Sequence, residues 1–227
     1  MKSLFLLCLM LGALPGFGEN RQTPLAPVAP IALYTHFDQE PPQGVVEALH
    51  DELDSIMTPL GMEFEWRSLN NVKGNELSVE LAVLTFKGRC DVAGLSPHAA
   101  SNPGALGWTH VSDGAILPFS DVDCDRIRSF IQKDLLMVRT PDREEALGRA
   151  IGRVVAHELY HIFANTVHHG ACGVAKAAYS VQELLSDEFH FEERESLALR
   201  GSKAYSALEN AAHSSTSTST STTAPLQ

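Results

Sequence analysis

The chain has 227 residues, 44% of them hydrophobic and 20% charged, with a formal charge of −11. That supplies one domain with a sizeable core, and the acidic balance argues against nucleic acid and anionic membranes as partners. No apolar run is long enough to span a bilayer, and a monomer is expected.

Residues 1–18 open with Lys2, run apolar from Leu4 to Leu14 and end in small residues at Gly16 and Gly18. This is the pattern of a secretory signal peptide, so the mature protein is expected to be secreted or periplasmic. Residues 19–30 carry Pro24, Pro27 and Pro30 and read as an extended linker. The domain is expected over residues 31–212. Its first strand is residues 31–37, stopped by Pro41-Pro42. Val45, Val46, Leu49, Leu53, Ile56 and Met57 recur at helical spacing up to Pro59. Residues 63–67 alternate as a second strand and residues 77–86 as a third, with Gly74-Asn75 as turn chemistry between them. Residues 88–104 read as loop. Two short strands follow at 107–111 and 114–119, joined across Ser112-Asp113.

A helix is expected over 125–136, then Thr140-Pro141-Asp142 as cap and first turn of a longer helix. Residues 180–187 start a further helix and 192–212 make a polar one. Residues 213–227, rich in alternating Ser and Thr, cannot build a core and should be disordered. In an oxidising compartment two of Cys90, Cys124 and Cys172 should pair. Cys90 and Cys124 each end an extended segment, which favours that pair. Cys172 is then a small buried thiol or, alternatively, a fourth zinc ligand.

The chemistry centres on His157-Glu158-Leu159-Tyr160-His161, an H-E-x-x-H pattern. Histidines at i and i+4 project from one helix face and can share a metal ion, for which neutral imidazole favours Zn²⁺. The carboxylate of Glu158 is placed to serve as general base toward a water. Leu147, Ile151, Val154 and Val155 ahead of the motif share a helical stripe, so the motif lies on a partly buried helix rather than a surface tail.

A catalytic zinc takes three protein ligands, and three residues compete for the third position. His169 follows His161 by eight residues and His168 by seven; either is reachable if the helix stops after His161 and the chain turns back, with Asn165 suited to a left-handed turn. Gly170 favours His169, because a glycine lets the backbone pass close to a metal. Glu183, in Glu183-Leu184-Leu185-Ser186-Asp187, is the third candidate, with Asp187 then orienting a histidine. Tyr179 or Tyr160 could donate to an oxyanion, Tyr160 fitting packing better.

These residues resemble the zincin peptidases, and among them the metzincins more than the thermolysin-like group. The metzincin positions for glycine and third histidine fall here on Ala164 and Val167, so the third histidine arrives later. The last methionine is Met137, ahead of the motif, so the methionine turn of metzincins is absent in its usual form. The run from His157 to Tyr179 is also similar to secreted bacterial zinc-dependent peptidase-like proteins. The ELLSD run resembles the downstream glutamate segment of thermolysin-like enzymes.

The resemblance implies an α+β zincin-like fold: a mixed twisted sheet with a helix packed on it, the motif helix, and a small helical C-terminal part. It implies a zinc endopeptidase acting on a peptide or protein, with His157, His161 and His169 on zinc and Glu158 catalytic. It also implies that residues 105–119 bind substrate backbone as an added strand. A non-catalytic exported zinc-binding protein is the alternative.

Overall fold

A computed structural model describes residues 31–74, 76–98, 103–202, 206 and 210. The expected signal peptide, linker and Ser/Thr-rich tail lie outside them. Among the described residues, no helix is long and apolar enough to cross a membrane.

The elements run β1 (Ile31–Phe37), α1 (Gln43–Met57), β2 (Phe64–Ser68), β3 (Leu81–Lys87), β4 (Gly107–Ser112), β5 (Ala115–Asp123), α2 (Cys124–Met137), α3 (Arg143–Phe163), α4 (Val181–Leu185) and α5 (Glu193–Arg200). The strands form one mixed sheet in the order β2-β1-β3-β5-β4. β1 runs parallel to β2 and β3, and β3 parallel to β5. β4 alone is antiparallel, at the edge beside β5. In β3, Ala82, Leu84 and Phe86 are buried while Leu81, Val83 and Thr85 are not, the period of two expected of a sheet with one covered face.

The β4–β5 hairpin turns on Asp113 and Gly114, with φ of 51° and 77°. Two successive positive φ values are what a two-residue hairpin turn needs to match strand twist, and Asp-Gly supplies them at low cost. The turn sets Ser112 opposite Ala115, the register shifts between Thr109 and Val111, and β4 lies at the edge of the sheet.

α1 and α3 pack face to face. α1 buries Val45, Leu49, Leu53, Ile56 and Met57, and α3 meets it with two glycines one turn apart. A β-carbon at Gly152 would lie 2.9 Å from the Leu49 carbonyl oxygen, so the backbones approach closely only because no side chain intervenes. The fully buried Arg153 then fastens three elements. Its Nε donates to Glu52 Oε1 on α1 at 2.6 Å, and its other nitrogens donate to the Glu183 and Ser186 carbonyls at the end of α4, at 2.6 and 2.7 Å.

Cys90 and Cys124 form the expected disulfide, tying the loop after β3 to the first residue of α2. Cys172 departs from expectation: it is free and exposed rather than buried. It sits in a surface turn beside Glu192, whose carboxylate raises its thiol above the ordinary value. β3 starts four residues later than the alternation suggests, because Leu77 is 81% exposed and its carbonyl is taken by Arg67 rather than by a neighbouring strand. Thr140–Asp142 forms a separate 3₁₀ turn before α3. α5 ends at Arg200, where the Gly201 amide bonds back to the Leu197 carbonyl; most of the rest of the expected 192–212 helix lies outside the described residues.

Candidate functional site

His157 and His161 lie one turn apart on the last two turns of α3, each 8% exposed. The Nδ1 of His157 is 2.8 Å from the Val174 carbonyl oxygen, and that of His161 is 2.7 Å from the Thr166 carbonyl oxygen. A carbonyl can only accept, so each Nδ1 carries the ring proton and each Nε2 is left with a bare lone pair. Those two Nε2 atoms face each other at 3.1 Å. Two acceptors aimed at one point repel unless something positive lies between them. Burial lowers the His157 pKa to about 4; the Val174 bond opposes this, while His161 and His169 add to it. Burial also lowers that of His161, against its Thr166 bond and aided by His169. Both rings are thus held in the neutral form that binds metal.

The local fold explains how a third histidine reaches them. α3 ends at Phe163, and Asn165 adopts φ 48°. The Thr166 amide bonds the His161 carbonyl at 3.2 Å and the Asn165 amide the Ile162 carbonyl at 3.3 Å, the paired closure of a Schellman motif. That reversal puts the Thr166 carbonyl under His161 and sends the chain back across the helix end. The return is pinned where the Gly170 amide bonds the Ala175 carbonyl at 2.8 Å and the Val174 amide the His190 carbonyl at 3.0 Å.

His169, exposed on this loop, has its ring centroid 4.8 Å from that of His161 and 5.2 Å from that of His157. One nitrogen from each of the three lies within 4.8 Å of the others, a group able to hold a metal ion. His168 and Glu183 do not join it. His168 is exposed, its amide bonded to Thr166 Oγ1. Glu183 is spent on structure: it closes a capping box with Ser180 at the start of α4 and pairs with Lys176 Nζ at 2.6 Å. Asp187 faces Arg149 at 3.7 Å and orients no histidine; main-chain carbonyls do that work. Cys172 stands outside the group.

Glu158 is 2% exposed. Its Oε2 accepts from Thr109 Oγ1 on β4 at 2.7 Å, and Thr109 Oγ1 in turn lies 2.8 Å from Ser120 Oγ on β5. Burial raises the Glu158 pKa to about 7, with the Thr109 bonds opposing. β4 passes close here at a glycine: a β-carbon on Gly107 would lie 2.8 Å from Glu158 Oε1 and 2.9 Å from Val154, so a side chain there would push on the carboxylate. Tyr179 is not where an oxyanion donor would be. Its hydroxyl donates to the Val174 carbonyl and lies 2.9 Å from His157 Nδ1, on the side of the ring away from Nε2. Burial raises its pKa well above the usual phenol value. Tyr160 packs near Phe191 with ring centroids 5.6 Å apart, 6% exposed.

A cleft of about 570 Å³ opens over this group, walled by β4 on one side and the 166–179 loop on the other. His157, Glu158, His161 and His169 line it together with apolar side chains such as Ile116, Phe130 and Val154. Among the described residues β4 pairs with β5 alone, so its other edge is unpaired beside the cleft.

Thr109, Ser120, Gly107 and the two carbonyls are functional neighbours that the motif alone does not reveal.

No family model matches the chain, and no curated protein matches it. Among solved structures it is similar to archaemetzincin from Methanopyrus kandleri, at 15% identity and a TM-score of 0.47, over 78% of this chain and 97% of that one. At that identity and score the likeness carries no argument about chemistry, which rests on the geometry above.

Proposed function

We propose that the protein is an exported zinc-dependent endopeptidase, with His157, His161 and His169 as metal ligands and Glu158 as general base. The carrying observation is the pair of bare Nε2 atoms 3.1 Å apart, each fixed by a proton given to a backbone carbonyl on the far side of its ring. Zinc–nitrogen bonds of about 2.0–2.1 Å in a tetrahedron set the nitrogens about 3.3 Å apart, so the 3.1 Å spacing of His157 and His161 fits that ion, and His169, in a group spanning 4.8 Å, closes in to complete the set. A zinc ion held there would supply a Lewis acid for the scissile carbonyl and lower the pKa of a water to about 7. Glu158 takes the proton from the attacking water and passes it to the leaving amine. The unpaired edge of β4 offers main-chain donors and acceptors to an extended peptide lying in the cleft. A peptide or protein substrate suits that edge, and a buried disulfide suits an oxidising compartment.

Against a non-catalytic metal site, the group gathers three side chains, with no fourth His, Cys or carboxylate joining among the described residues. A structural zinc site is normally closed by four. The test is Glu158→Gln in the full chain, with zinc measured by elemental analysis and hydrolysis followed on a quenched-fluorescent peptide library. The reading requires that wild type cleaves and that the variant keeps about one zinc while losing turnover. A variant that hydrolyses peptide at the wild-type rate overturns the assignment of Glu158. A wild type that binds zinc and cleaves nothing points to a binding protein.

A further inference from the structure

Thr109 is the polar side chain through which the edge strand touches the proposed base. Its hydroxyl has one proton to give. An ionised Glu158 can only accept, so that proton goes to Oε2 across 2.7 Å, and Ser120 Oγ supplies its own proton to Thr109 across 2.8 Å. The result is a directed chain, Ser120 to Thr109 to Glu158, that starts on β5, crosses β4 and ends on α3. Thr109 Oγ1 also lies 3.2 Å from the Glu158 main-chain carbonyl, so the same side chain touches both ends of the residue. Gly107, two residues earlier on the same face of β4, leaves room for Oε1. One strand therefore fixes both carboxylate oxygens, one by a hydrogen bond and one by leaving space.

We propose that Thr109 is a positioning residue that holds the Glu158 carboxylate in its working rotamer, with Ser120 setting the direction of the Thr109 proton. The inference rests on the endopeptidase reading for its kinetic consequence but not for its geometry.

The test compares Thr109→Val, which keeps the β-branched shape and removes the hydroxyl, with Thr109→Ser, which keeps the hydroxyl, and with Ser120→Ala. Each is examined as the full chain, with folding checked by its melting temperature. On a peptide that wild type cleaves, Thr109→Val lowers kcat by roughly 10- to 100-fold, the usual scale for losing such a supporting bond, with KM little changed. Ser120→Ala gives a smaller fall, and Thr109→Ser stays within about threefold of wild type. Crystal structures of metal-free wild type, Thr109→Ser and Thr109→Val supply a second readout that needs no activity: the Glu158 carboxylate keeps one rotamer in wild type and Thr109→Ser and leaves it in Thr109→Val. An undisturbed carboxylate in Thr109→Val overturns the proposal, as does a Thr109→Ser variant that falls as far as Thr109→Val. If wild type cleaves no peptide, the endopeptidase reading fails while the rotamer comparison still decides the role of Thr109.

Discussion

A β-carbon on Gly148 would stand 2.4 Å from the main-chain carbonyl oxygen of Val45 and 2.7 Å from the Ala48 β-carbon. Here α3 touches α1, and the contact fixes how closely the motif helix packs against α1. On helix propensity alone, Gly148→Ala would stabilise an interior position by about 1 kcal/mol. The backbone carbonyl cannot give way as a side-chain end can, so overpacking wins and the variant loses about 1–3 kcal/mol. Urea denaturation decides the sign; a stabilised variant means the two helices part more easily than this contact implies.

Arg153→Met should cost more. It takes from the Glu52 carboxylate its nearest partner, leaving Arg149 4.0 Å away, and removes the guanidinium bond to the Ser186 carbonyl, while Ser186 Oγ still donates to the Glu183 carbonyl. Breaking a buried pair on one side costs about 3–5 kcal/mol, and removing the orphaned charge as well restores part of it. Denaturation of Arg153→Met beside Arg153→Met/Glu52→Gln measures this: the double variant should be the more stable of the two.

Asn165 occupies the left-handed turn that ends α3. Asn165→Gly should leave stability within a few tenths of a kcal/mol or raise it, whereas Asn165→Val should lose about 1–2 kcal/mol. The same change displaces the Thr166 carbonyl that holds His161 Nδ1. Zinc affinity by competition with a chromogenic chelator should therefore fall for Asn165→Val and hold for Asn165→Gly.

Metal removal provides a direct check on the ligands. With free zinc about 100-fold above its dissociation constant, the folded state gains about 2.7 kcal/mol over the chelated protein. His157→Ala, His161→Ala and His169→Ala should each abolish that difference between zinc-loaded and chelated melting curves. His168→Ala and Glu183→Ala should retain it. A Glu183→Ala protein that alone loses the difference would transfer the third ligand to α4.

What could be read in advance follows from the range of each interaction. β1, α1 and α3 were legible because their patterns are local: alternation at Ile31–Phe37, a helical stripe at Val45–Met57, and another at Leu147–Val155. The link expected across Ser112-Asp113 falls one residue later, at Asp113-Gly114, the two residues that take positive φ, while Asn165 was legible as a turn because its side chain tolerates that conformation. The pairing of Cys90 with Cys124 followed from where the extended segments end. Thr109 lies 49 residues from Glu158, and nothing in either residue's neighbours announces the other. The acceptors that orient His157 and His161 are carbonyls, which every residue has, so sequence pointed instead to Asp187. Glu183 looked like a ligand because a capping glutamate and a metal-binding one are the same residue type. Cys172 looked buried because cysteines usually are, and its surface turn shows in the fold alone.

The disulfide has a consequence in time as well as in space. Residues 90 and 124 enclose all of β4 and β5, and both precede α3. In a chain emerging N-terminus first into an oxidising compartment, the bridge can close while residues 143–163 are still on their way. The motif helix would then dock against an edge strand that already lies within the closed loop, so that Glu158 finds Thr109 waiting instead of the two having to search for each other.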